Sequence, residues 1–159
     1  MNSLFLMLAA AWTLTPGGYG PVKIGMTQAQ VSNALHAKLQ GEPFDETGHC
    51  VEMTAAGGKR PGMNFMFLAG RLTRITLFED HGVKTPRGVA VGATADAVRK
   101  AYGAGLVAEP HAYIDPPGEY LTFWTQPKRR GVRFEIGNDG KVDLIHAGND
   151  SIQYVEGCA

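Results

Sequence analysis

The chain has 159 residues with fifteen basic and fifteen acidic side chains, so no net field draws it to nucleic acid or to an anionic membrane surface, and a nucleic-acid partner is not expected. Charged residues are only 19%, while glycine reaches 21 and proline 9, a profile of turns joined to modest strands and not of disorder. The length suits one sizeable core, or two small ones leaning on a shared sheet.

The opening stretch MNSLFLMLAAAWTLT has an apolar run from Leu4 to Trp12. It is too short for a stable membrane anchor but suits the hydrophobic region of a secretory signal, with a small-x-small pair at Ala9 and Ala11. Residues 1–16 are therefore expected to be a removed signal peptide, which places the protein in the periplasm or outside the cell with no membrane span in the mature chain. The alternative is a buried first strand or helix, because Met1 to Ser3 bring no Lys or Arg.

Residues 17–80 read as a first repeat of helix then meander. Gly25, Met26 and Thr27 open a helix: Thr27 is an N-cap, Gln30 completes a capping box, and Met26 is spaced to staple onto Val31. Val31, Ala34, Leu35 and Leu39 form its apolar stripe, with Gly41 as terminator. Cys50 to Ala55 reads as a strand, the tip GGKRPG follows, and Met63, Phe65 and Phe67 mark the next strand before an Ala69-Gly70 turn.

Residues 81–88, HGVKTPRG, are a polar linker, and 89–159 repeat the plan. Gly92, Ala93 and Thr94 open a second helix, in which Ala97 removes the capping box but Asp96 suits the positive helix end. Val98, Ala101 and Tyr102 are its stripe and Gly103 its stop. Tyr120 to Thr125 is the strand before the tip PKRRG. Val132, Phe134 and Ile136 then alternate with Arg133 and Glu135, which face away from the apolar set, ahead of a turn at Asn138 to Gly140. Neither half alone buries much apolar surface. The expected fold is α+β: two tandem repeats joined in one continuous sheet with both helices on one face.

Cys50 and Cys158 are the only cysteines, and an even count behind a secretion signal favours a disulfide over two unrelated thiols. The bridge would tie the end of the chain to the first repeat.

The helix start followed by a meander and then repeated resembles the tandem-repeat fold of β-lactamase inhibitory protein, and each half is similar to the small SmpA/OmlA outer-membrane assembly lipoproteins. The segments TPRGVAVGAT, PHAYIDPPGEYL and YVEGC are also similar to secreted bacterial proteins. The resemblance implies a sheet face that grips a partner protein. No cysteine directly follows the apolar run, so the lipid anchor of the assembly lipoproteins is not implied.

Catalytic constellations are not legible. Ser32 and Ser151 lie in no nucleophile elbow, a paired Cys50 leaves no thiolate, and the five histidines form neither HExxH nor a Cys/His cluster. Glu79 to His81 reads as a strand end, and Asp115 with Glu119 as a proline-rich turn carrying solvated acids, although this pair is the one acid/base arrangement available to a small hydrolase or a carbohydrate-binding protein. No cofactor and no metal ligand set is expected.

Binding is the better prospect. His111, Tyr113, Tyr120 and Trp124 surround the stiff Pro116-Pro117-Gly118 turn, where rigid aromatics make efficient interface anchors. Lys59 and Arg60 on one tip are matched by Lys128, Arg129 and Arg130 on the other; side by side they would form a positive rim suited to an acidic partner surface. The expected function is a secreted, non-enzymatic protein-binding module, an inhibitor or immunity protein of an envelope-acting or secreted hydrolase. An envelope assembly factor is the alternative.

Overall fold

In the computed structural model, residues 11–58, 60, 62–127 and 129–159 are described. Most of the expected signal segment, and Lys59 and Lys128 of the two basic tips, lie outside them.

Three two-residue strands come first: β1 (Leu14–Thr15), β2 (Gly18–Tyr19) and β3 (Val22–Lys23), paired antiparallel in that order. The Pro16-Gly17 and Gly20-Pro21 corners turn the chain back after every pair of residues, so this segment hydrogen-bonds to itself. Leu14 and Val22 are fully buried, and the Leu14 N–H donates to the Lys84 carbonyl at 3.0 Å. Leu14 and Thr15 thus belong to the fold, although both lie inside the segment 1–16 expected from sequence to be a removed signal.

The helices start where the threonines place them. Thr27 Oγ1 accepts from the Gln30 N–H at 3.3 Å and Gln30 Oε1 accepts from the Thr27 N–H at 2.9 Å, which closes the capping box of α1 (Gln28–Leu35). At α2 (Ala95–Tyr102), Thr94 accepts from Ala97 N–H at 3.1 Å with no return bond. Gly103 stops α2 as expected, but α1 ends at His36 in a left-handed conformation (φ 50°) and not at Gly41. Leu39, assigned from sequence to the helical stripe, consequently falls in a strand.

That strand is β4 (Leu39–Gln40). With β5 (Cys50–Ala55), β6 (Met63–Leu68), β7 (Arg71–Leu77), β8 (Leu106–Pro110), β9 (Glu119–Gln126), β10 (Arg130–Ile136) and β11 (Val142–Gly148) it forms an eight-stranded sheet in the order β4-β5-β6-β7-β11-β10-β9-β8. All neighbours run antiparallel. The fold is α+β, yet the strands form two sheets where one continuous sheet was expected, because β1 to β3 close on themselves.

The two helix entries share one backbone device. Gly25 and Gly92, at φ 98° and 87°, turn the chain so that their N–H groups donate to Leu72 and Val142. Leu72 and Val142 in turn donate to Met26 and Ala93, all four bonds being 2.7–2.8 Å. Val31 and Leu35 of α1, Val98 and Tyr102 of α2, and Leu14 and Val22 of the small sheet all bury onto one apolar cluster with Phe65, Phe67, Phe134 and Ile145.

Candidate functional site: a covered polar face

Strand alternation that sends Phe65, Phe134 and Ile145 into the core sends their neighbours to the sheet's other side, where they meet as a network. Arg74 on β7 donates through Nη2 to Glu52 on β5 at 2.9 Å, and through Nη1 to the carbonyls of Ser151 and Tyr154. Burial pulls the Arg74 pKa down, and Glu52 opposes that shift. On β10, Glu135 sits between two histidines, 2.9 Å from His111 Nε2 and 3.4 Å from His146 Nε2. Arg133 reaches Glu109 at 3.0 Å and lies 4.0 Å from the centre of the Tyr120 ring.

Hydrogen bonding assigns the tautomers. His111 Nδ1 accepts the backbone N–H groups of Tyr113 and Ile114, so its Nε2 donates to Glu135. His146 Nδ1 accepts from the Thr76 hydroxyl at 2.8 Å, and its Nε2 likewise faces Glu135. Burial pushes the His146 pKa down to about 4, with Arg74 and Arg133 adding to the shift and Glu135 resisting it. Burial alone would raise Glu135; the two histidine bonds outweigh it and hold the carboxyl below its ordinary value.

Two covers close this face. One is the β8–β9 loop, residues 111–118; the other is the terminal segment 149–159, held by the Cys50–Cys158 disulfide with the two Cα atoms 5.6 Å apart. They meet where the Tyr113 hydroxyl donates to Glu156, a contact that raises the Tyr113 pKa. Gly157, at φ 64°, lies so close to the Glu52–Arg74 pair that a Cβ there would stand 2.6 Å from Glu52 Oε1.

The covers carry apolar side chains outward. Tyr113 is 69% exposed, Tyr154 and Val155 45%, and Phe78, at the end of β7, 40%. Tyr113, Tyr154 and Val155 line an open cavity of about 620 Å³ that includes the disulfide, and Val155 and Phe78 line an adjoining one of about 220 Å³ over Arg74 and His146. These four form a ridge on the disulfide-tied face.

The residues singled out from the sequence divide. Tyr113 is on the ridge. His111 and Tyr120 are buried, stacked at 4.7 Å, and support the loop from beneath in place of facing a partner. Trp124 is half-buried. Asp115 and Glu119 do not pair: Glu119 is taken by Arg99 at 2.7 Å. Arg60 lies over Trp12, 4.8 Å from the ring centre, whereas Arg129 and Arg130 flank Asn149 and Asp150. Among the described residues, Arg60 and the Arg129–Arg130 pair lie apart and do not assemble into the expected rim. With β7 and β11 antiparallel at the centre of the sheet, the connection after β5 leaves one end of the strands and that after β9 leaves the other.

Glu52, Arg74, Glu135, His146 and the terminal segment were missed as a unit. Their signal was charge at alternate strand positions, of which the sequence reading used only Arg133 and Glu135, as facing away from the apolar set. Among the described residues no cluster of three or more His, Cys, Asp or Glu is placed to hold a metal, and no helix is long and apolar enough to cross a membrane.

No family model and no curated protein matches the chain. A solved structure of a DUF4309 family protein (YjgB) from Bacillus subtilis is 17% identical, with the alignment covering 77% of this chain and 78% of that one at a TM-score of 0.49.

Proposed function

We propose that this chain is a secreted, non-enzymatic protein-binding module that grips its partner with the ridge of Tyr113, Tyr154, Val155 and Phe78. The exposure of these four side chains on a disulfide-tied face carries the reading. Large apolar groups on a backbone that is already ordered lose little entropy when a partner covers them, which is how interface anchors work. The ionisable groups behind the ridge are engaged with one another: Glu135 with two histidines, Arg74 with Glu52 and two carbonyls, and Arg133 with Glu109. They serve as a rigid support and not as acid/base pairs.

The matched helix entries at Gly25 and Gly92 support a duplicated unit whose copies are related by a twofold axis between β7 and β11. Such a tandem module is similar in plan to β-lactamase inhibitory protein, and an inhibitor or immunity role against an envelope-acting or secreted hydrolase is the form of binding we propose. The acidic partner expected from the basic tips is not carried forward, since it depended on the rim. Immobilised oxidised chain should retain a partner from envelope extract, and a Tyr113→Ala/Tyr154→Ala variant with an unchanged melting temperature should lose it. Equal retention by both chains would overturn the assignment of the ridge.

A further inference from the structure

The terminal segment is attached in an uneven way. Ser151 and Ile152 are fully buried and root it in the domain, but from Gln153 onward no side chain is buried. Beyond that root it is held by the Tyr154 carbonyl on Arg74, by Glu156 on Tyr113, by the close seat of Gly157, and by the disulfide. Two of these are polar contacts, one part-buried on Arg74 and one exposed at Tyr113. The covalent bond is the dominant tether.

What lies under the strap is built without it. Arg74 is also held by Glu52, which reaches it from β5 across β6, an ion pair that does not involve the strap. Its Nε has no hydrogen-bond partner among the described residues, nor has the buried Oδ1 of Asn64, which lines the same cavity. The floor therefore offers one unpaired donor and one unpaired acceptor. Charge selects among ligands: Glu52 neutralises Arg74 and Glu135 is a further anion nearby, so a carboxylate is disfavoured against a neutral carbonyl. Alternating donors and acceptors of neutral charge are the chemistry of an extended polypeptide backbone, which is what the strap itself presents.

We propose that residues 153–159 are a thiol-releasable plug in a peptide-binding groove, and that opening the Cys50–Cys158 disulfide vacates the groove for an extended segment of a partner chain. Both cysteines are partly exposed and line the open cavity of about 620 Å³, which admits a reductant. The reductant is a dithiol. One of its thiolates attacks one cysteine sulfur and releases the other as a thiolate, and its second thiol then displaces the mixed disulfide. The products are two protein thiols and the oxidised dithiol, a two-electron exchange. The released strap takes Tyr154 and Val155 with it, so the oxidised chain offers the ridge and the reduced chain the groove.

The test uses the full chain. Hydrogen exchange at residues 153–159 should quicken at least tenfold in both dithiothreitol-treated wild type and Cys50→Ser/Cys158→Ser, while β6, β7 and β10 keep their protection. Adding Gly157→Val, a β-branched residue at a position with φ 64° that crowds Glu52 and Arg74, opposes reseating of the strap. With its fold checked by circular dichroism, that chain should bind the capped peptide Gln-Tyr-Val-Glu-Gly at least tenfold more tightly than oxidised wild type does. It should discriminate against Gln-Tyr-Val-Glu-Val. Unchanged exchange on reduction would overturn the release, and peptide binding that ignores the disulfide or the final glycine would overturn the groove. Because the ridge is tested on oxidised protein, its failure is separable from failure here.

Discussion

Removing the disulfide is the perturbation whose size follows most directly from the structure. The bridge closes a separation of 108 residues, for which loop-closure entropy gives a stabilisation of about 5 kcal/mol. Part of that returns if the strap also gains freedom in the folded reduced chain, so about 5 kcal/mol is an upper bound. For a chain of this length each kcal/mol moves the melting temperature by about 2–4 °C, which predicts a fall of at most about 10–20 °C. Calorimetry of oxidised wild type against Cys50→Ser/Cys158→Ser, each with and without dithiothreitol, measures it. Dithiothreitol should shift only the wild type. A wild-type transition that stays within about 2 °C on reduction would show that the tether does not constrain the unfolded chain as argued.

His146, with its pKa depressed in the fold to about 4 from an ordinary value near 6.5, favours the folded state fully above pH 6.5 and loses that contribution as pH falls towards 4. The loss is about 3 kcal/mol by urea titration, and His146→Gln should flatten the slope across that window. Leu14→Ala should cost about 2–5 kcal/mol, and a chain beginning at Gly17 should be less stable than one beginning at Trp12. Thr27→Ala and Thr94→Ala should each cost about 1 kcal/mol, while Ala97→Gln, which supplies the missing return bond of the second capping box, should stabilise by about 0.5 kcal/mol in thermal melts.

What could be read from the sequence was local. Thr27 and Thr94 announce helix starts because their hydroxyls cap whatever helix follows them, and Ala69-Gly70 and Gly140 announce turns because positive φ is a property of single residues. Cys50 and Cys158 had only each other. The polar face was not legible because its members come from β5, β7, β10, β11 and the chain's end, and only the sheet order brings them together. Arg133 and Glu135 were correctly placed away from the core, but alternation alone does not distinguish a solvated face from one covered by a strap. The basic tips failed for the same reason: their chemistry was local, whereas their positions depended on the antiparallel pairing of β7 with β11. Leu14 was lost to the apolar run that precedes it, since hydrophobicity alone does not separate a core strand from an apolar leader.

Binding through the ridge is the claim on which the functional account rests, and site-specific photocross-linking in the producing cell tests it most directly. A photoreactive residue in place of Tyr154 or Phe78 should capture one protein partner, and the same residue in place of Asp96 or Lys100 on α2 should not. Capture at α2 with none at Tyr154 and Phe78 would contradict the account.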